Sequence, residues 1–204
     1  VRQVGSTFKA FTLQAFNESG RSPETRFSAP AELEVEGTEQ PITNYGGASF
    51  GEQTVRQATA SSTNTVYVQM QEEVGRELVI EAARRAGLPL SKEDEVFPTE
   101  RGEGATLRPF GGLTLGQDAF SPLELASSYA TYAGEGFQIR PRLVVRVEDV
   151  DGRAIFTAAD VEEQAMDVQV ARAVTDVLAD AVSSGSGAAA ALPDRPVAGK
   201  TGTT

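Results

Sequence analysis

The chain has 204 residues, 40% of them apolar, which is one domain's worth of polypeptide with material for a sizeable core. It contains no His and no Cys, which removes Ser-His-Asp and Cys-His pairs, His or Cys metal sites, disulfides and iron–sulfur clusters, and leaves acid–base work to Lys, Tyr or carboxylates. With 18 Lys and Arg against 29 Asp and Glu the formal net charge is −11, a sign that repels polyphosphates, so no nucleic-acid partner is expected.

From the N-terminus, Phe8, Phe11, Leu13, Ala15 and Phe16 recur near helical spacing between Gly5 and Gly20, and a buried helix over residues 7–19 entered at Ser6 is expected. Asn17-Glu18-Ser19 reads as its end, not as a glycan acceptor. Residues 17–51 are polar and rich in Gly, Pro, Ser and Thr, with Ala31, Leu33 and Val35 alternating, which suits loops and short edge strands. Helical patterns return over 51–60, 65–74 and 76–86, where Gly87 and Pro89 stop the last. Residues 91–118 read as a long irregular stretch, in which Lys92 beside Glu93, Asp94 and Glu95 is a solvated face.

Ser121-Pro122-Leu123-Glu124 combines an N-cap Ser, a Pro at the first helical position and a Glu at the third, so a helix runs from there to Ala133 and ends at Gly134. Tyr129 and Tyr132 on it read as core. Leu143, Val145 and Val147 alternate with their neighbours, and Asp151-Gly152 turns the chain toward Ala154-Ile155-Phe156, predicting a hairpin. Asp167 caps a last helix whose apolar positions Val170, Ala171, Val174, Val177, Leu178, Ala181 and Val182 keep a helical period up to Gly185. A loop over 185–194 and an extended segment over 196–203 follow. There is no internal repeat and no run of 18 apolar residues, and Val1-Arg2-Gln3-Val4-Gly5 does not open a signal peptide, so a soluble chain is expected.

Only three lysines occur, Lys9, Lys92 and Lys200, against fifteen arginines. Lys9 stands three residues after Ser6 at the start of a helix, where both the helix N-terminus and burial disfavour a cation. A residue chosen there for stability would be Glu or Gln closing a capping box. The alternative is chemical: a desolvated amine can take the proton of the Ser6 hydroxyl, which Arg cannot do. S-x-x-K alone occurs by chance about once in a chain of this size. Here it is followed by Ser62-Thr63-Asn64 in a polar cluster between helices and by Lys200-Thr201-Gly202-Thr203 on a predicted strand, an order S-x-x-K, S-x-N, K-T-G that marks penicillin-binding proteins and class A β-lactamases, except that Thr63 replaces the Asp of S-D-N. Gly199-Lys200-Thr201 is not a P-loop end, because Asp194 stands where glycine is required and no helix follows. Gly185-x-Gly187-x-x-Ala190 follows a helix instead of a strand, so it reads as a loop near the site and not as a dinucleotide fingerprint.

With Gly5-Ser6-Thr7-Phe8-Lys9, Ser62-Thr63-Asn64-Thr65-Val66, the block 115–126 and Ala198-Gly199-Lys200-Thr201-Gly202-Thr203-Thr204, the chain resembles the transpeptidase domain of high-molecular-weight penicillin-binding proteins over nearly its whole length. The Ser-Thr-Asn-Thr and Lys-Thr-Gly-Thr-Thr forms look more like class A than class B. The resemblance implies an α/β (α+β) fold with a helical subdomain on an antiparallel sheet, and no cofactor. It implies peptidoglycan stem peptides and β-lactams as ligands, cell-wall synthesis proteins as further partners, and a place on the extracytoplasmic face of the bacterial membrane through an anchor outside this chain. Ser6 would attack the carbonyl between two terminal D-alanines, with Lys9 accepting its proton. Ser62 would pass a proton to the leaving amine, and Asn64 would hold Lys9 and the substrate amide. Lys200, Thr201 and Thr203 would bind the terminal carboxylate, Gly202 would let the substrate backbone approach, and the N–H groups of Ser6 and Thr203 would form the oxyanion hole.

A serine β-lactamase on the same fold needs a Glu to activate water, and no Glu-x-x-x-Asn lies between Ser62 and Lys200. A non-catalytic penicillin sensor would keep all the motif residues. The resemblance further implies that residues 1–204 are a transpeptidase domain incomplete at both ends, so that residues 197–203 would be a bare strand edge or would be completed by another chain or a further segment.

Overall fold

The computed structural model describes residues 1–90, 107–159 and 162–203. Among these, six helices alternate with short strands: β1 (Arg2–Gln3), α1 (Lys9–Glu18), β2 (Arg26–Ala29), β3 (Glu32–Leu33), β4 (Ile42–Thr43), β5 (Gly51–Thr54), α2 (Val55–Ser61), α3 (Asn64–Val74), α4 (Arg76–Arg85), β6 (Ala119–Phe120), α5 (Pro122–Ala133), β7 (Phe137–Ile139), β8 (Arg146–Glu148), β9 (Ala154–Thr157), β10 (Glu162–Gln164) and α6 (Val168–Ser183). Every strand pair is antiparallel: β1 with β6, β2 with β5, β3 with β4, β7 with β10 and β8 with β9. The mixed α and β content matches the expected class. The antiparallel sheet, however, is divided into separate two-stranded ladders among the described residues.

α1 is the axis of the core. Residues 9–16 are all buried, because the helix is enclosed by α3, α4 and α6 and by the rings of Tyr129 and Tyr132 on α5, each 6.2 Å from Phe11. Burial of Phe8, Phe11, Leu13 and Phe16 stabilises this packing by about 1.5–3 kcal/mol per side chain. Arg56 holds the outside of α2 to α6 through Asp176 and Asp180.

Two expectations need correction. The first helix is not entered at Ser6: residues 5–8 form a 3₁₀ turn and the α-helix begins at Lys9, since Gly5 has φ +56 and the tighter turn suits the short path out of β1. Residues 51–54 are not helical but pair with β2, and the helix starts only after Thr54, whose side chain closes a capping box with Gln57. Residues 197–203 join no ladder among the described residues. The segment is tied instead by the Gly199 N–H, which donates to Leu178 O on α6 (3.2 Å). The helices from Pro122 and from Asp167 begin as expected, with Ser121 and Asp167 accepting from backbone N–H groups of their first turns. The hairpin around Asp151-Gly152 is β8–β9. Lys92 and its acidic neighbours lie outside the described residues.

Candidate active site

The turn that carries Ser6 is built by backbone. β1 pairs with β6, the Gly5 N–H donates to Gly116 O (2.9 Å), and the Tyr129 hydroxyl donates to Thr7 O (2.7 Å). Gly5 has a positive φ, and a Cβ there would collide with Thr203 O. At Gly202 a Cβ would lie 2.6 Å from Val4 O and 3.0 Å from the Thr7 side chain. The room that glycine leaves at 202 is thus taken by the Ser6 turn, so it is this close approach, and not only a substrate backbone, that requires glycine. Ser6 is half-buried at the surface of the contact.

Lys9 is the first residue of α1 and fully buried. Its Nζ donates to Asn64 Oδ1 (2.7 Å) and Ser62 O (2.8 Å) and lies 3.3 Å from Ser62 Oγ. The Tyr67 ring centroid is 5.2 Å away. None of these partners is Ser6, so the pairing expected along one helix face is replaced by contacts to the S-x-N turn. Burial pushes the Lys9 ammonium well below its ordinary value, and the charge of Lys200 pushes it further the same way. As a neutral amine it has two N–H groups, matched by the two short contacts, and a lone pair left for a proton.

Lys200 Nζ donates to the same Ser62 hydroxyl (2.8 Å) and to Thr201. Desolvation lowers its pKa to about 8. The Ser62 hydroxyl accepts from Lys200 while its own proton is free to face Lys9, so the three groups form a continuous proton path. Thr201 shares a hydrogen bond with Ser186 (3.0 Å), which brings the Gly185–Ala190 loop beside the site. Asn64 Nδ2 donates to Thr43 O (2.8 Å) and keeps its second N–H available. Next to Asn64 opens a cleft of about 560 Å³, bounded by Thr38, Glu39, Thr43, Phe110 and Gln117. No cluster of metal-ligating residues occurs among the described residues.

The sequence did not point to three residues that shape this site. Asn44 is buried, and its amide donates to Pro30 O and Ala48 O while its oxygen accepts from the N–H of Thr65 on α3. Gln71 pins the segment beside the cleft, donating to Gly111 O (3.0 Å) and accepting from the Thr114 N–H (2.7 Å). Gln53 bonds the S-x-N turn from the side. An amide that satisfies distant backbone has no periodicity and no motif. The one available signal was an amide residue where β5 leads into α2.

The family model for the penicillin binding protein transpeptidase domain matches residues 1–204. The chain is 31% identical over 161 residues to penicillin-binding protein 1A of Aquifex aeolicus, covering 79% of this chain and 20% of that protein. It is 30% identical over 210 residues to the peptidoglycan D,D-transpeptidase PbpA of Mycolicibacterium smegmatis, covering 98% of this chain and 42% of that protein. Among solved structures, the imipenem acyl-enzyme of penicillin-binding protein A from M. tuberculosis superposes with a TM-score of 0.85 at 28% identity, covering 98% of this chain and 48% of that one. The D,D-transpeptidase domain of a peptidoglycan glycosyltransferase from Eggerthella lenta gives 0.80 at 30% identity, covering 98% and 53%. The chain therefore spans at most about half the length of these relatives.

Proposed function

The chain belongs to the penicillin-binding protein transpeptidase family, and from that premise we propose that it is the serine D,D-transpeptidase unit of a peptidoglycan-crosslinking enzyme, working on the extracytoplasmic face of the bacterial membrane. The observation that carries the reading is a fully buried lysine with a depressed pKa, one turn after a serine and joined through Ser62 to a second lysine.

Ser6 Oγ attacks the carbonyl between the terminal D-alanines of a stem peptide, and its proton passes to the neutral Lys9 amine, which burial keeps ready to receive it. The Ser6–Lys9 contact tightens when substrate is bound, as general-base contacts commonly do. The oxyanion forms against the backbone N–H groups of Ser6 and Thr203. Lys9 then returns the proton through the Ser62 hydroxyl to the departing amine nitrogen. The C–N bond breaks, D-alanine leaves, and the peptidyl ester stays on Ser6. Lys200 with Thr201 and Thr203 holds the terminal carboxylate, while the free N–H of Asn64 meets the substrate amide in the cleft. A second stem peptide's amine attacks the ester, Lys9 takes its proton, and the crosslink forms as Ser6 regains its own.

A β-lactam presents a carbonyl and a carboxylate in the same relation and acylates the same oxygen. Labelling with a fluorescent penicillin followed by mass mapping should place one adduct on Ser6, and Ser6→Ala should abolish it. An adduct mapped elsewhere would sink the assignment.

A further inference from the structure

We infer that Gln53 is a positioning residue for the reaction proposed above: through Thr63 and Ser61 it holds Ser62 in the left-handed backbone conformation that presents its hydroxyl to both lysines. Ser62 has φ 59 and ψ 39, and among the described residues only it and Glu135 combine a side chain with positive φ. That conformation costs a non-glycine residue about 1–2 kcal/mol, so its neighbours must hold it.

They are held by a closed ring. Gln53 Nε2 donates to Ser61 Oγ (3.1 Å), the Ser61 and Thr63 hydroxyls share a bond (2.9 Å), and the Thr63 hydroxyl donates to Gln53 Oε1 (2.7 Å). With its proton turned to Thr63 the Ser61 hydroxyl completes a ring in which each group donates once and accepts once, and with its proton turned to its other acceptor, Gln57 O (2.8 Å), Gln53 still bonds both hydroxyls. Thr63 is 1% exposed and Gln53 9%, so the bond between them is shielded from competing water, while Ser61 stands at the surface. Its mount is firm: Gln53 is paired with Phe27 in the β2–β5 ladder, and the next residue, Thr54, caps α2. Ser62 thus sits between two residues strapped to one strand, and it is the residue that links Lys9 to Lys200. The ring also accounts for Thr at 63. A hydroxyl can donate to the Gln53 amide oxygen, whereas an ionised Asp only accepts and would require the amide to turn round.

The inference rests on the transpeptidase reading for its kinetic consequence but not for its structural one, and the experiment separates them. Gln53→Leu, Thr63→Val and the conservative Thr63→Ser are compared with Ser128→Ala, which removes a buried hydroxyl that bonds within α5, to Glu124 O. Penicillin acylation is resolved into its maximal rate and its half-saturating concentration, and hydrogen exchange is followed over residues 59–65. Gln53→Leu and Thr63→Val should each slow the maximal rate about tenfold with half-saturation within about twofold of the parent, as expected for one lost ring of hydrogen bonds acting on geometry alone. Thr63→Ser should restore the rate, and the double variant should be no slower than the slower single one. Exchange over 59–65 should quicken in Gln53→Leu and Thr63→Val and stay unchanged in Ser128→Ala. Parental acylation by Gln53→Leu, or slowing equalled by Ser128→Ala, overturns the inference, as does unchanged exchange. A parent protein that takes no penicillin on Ser6 while exchange still responds to Gln53→Leu would reject the transpeptidase reading and retain the strap.

Discussion

In the proposed reaction Lys9 and Lys200 are the same side chain set to opposite tasks, Lys9 serving as neutral base and Lys200 as cation. Both amines are desolvated, but Lys9 is also beside the Lys200 charge and falls well below its ordinary value, while Lys200 settles near 8. Because the base works unprotonated and the cation works protonated, kcat/KM for acylation should climb with pH as Lys9 loses its proton and decline above about 8 as Lys200 loses its own. Lys200→Arg keeps its charge, so its alkaline decline should move upward; a decline unmoved in pH–rate profiles would contradict the assignment. Lys9→Arg stays protonated and should acylate about 100- to 10,000-fold more slowly in stopped-flow labelling. These residues were legible in the sequence because the chemistry admits few substitutes: a lysine at the start of a buried helix has no structural excuse. Asn44 and Gln53 were not legible, since any of several polar residues could have stood at those positions and only the fold reveals what their amides face.

Caps decide where the helices around the site begin. Thr54 and Ser121 close capping boxes within their own helices, whereas α3 receives no side-chain cap from Thr63 and is capped in trans by Asn44. Asn44→Ala should leave the Thr65 N–H and the Ala48 carbonyl without partners, Pro30 O keeping the Thr65 hydroxyl, and destabilise the chain by about 1–3 kcal/mol. Calorimetry should register this as a fall of several degrees in Tm, and an unchanged Tm would deny the cap. Ser121-Pro122-Leu123-Glu124 announced its helix because its signals are adjacent in sequence. Gly51–Thr54 misled because four residues leading into a helical run carry no periodicity of their own, and it is pairing with Arg26–Ala29 that makes them a strand. Residues 5–8 misled similarly: the run of phenylalanines continues the helical pattern backward, but the contact with Gly116 bends the backbone into a tighter turn.

Nonpolar surface is unevenly distributed over the protein. The β8–β9 hairpin stands clear of the core, with Leu143, Val145, Val150, Ile155 and Phe156 all exposed. Since these side chains are already in water, Val150→Ser and Ile155→Thr should change stability by less than about 0.5 kcal/mol while lowering self-association in light scattering. A large loss of stability would mean that the hairpin packs on the body. The opposite condition holds where Val4-Gly5 meets Gly202-Thr203. These pieces come from the two extremes of the described chain and touch backbone to backbone, with no side chain to act as a spacer. A closure of that span forms after local structure, because the entropy of the long loop must be overcome before the contact stabilises anything. Covalent labelling of Ser6 therefore keeps time. In a refolding mixture sampled with fluorescent penicillin, adduct should lag behind the return of the helical circular dichroism signal, and adduct rising in step with that signal would place the closure early. On the proposed reading, a drug that acylates this serine would recognise only finished molecules, and a half-folded chain would be invisible to it.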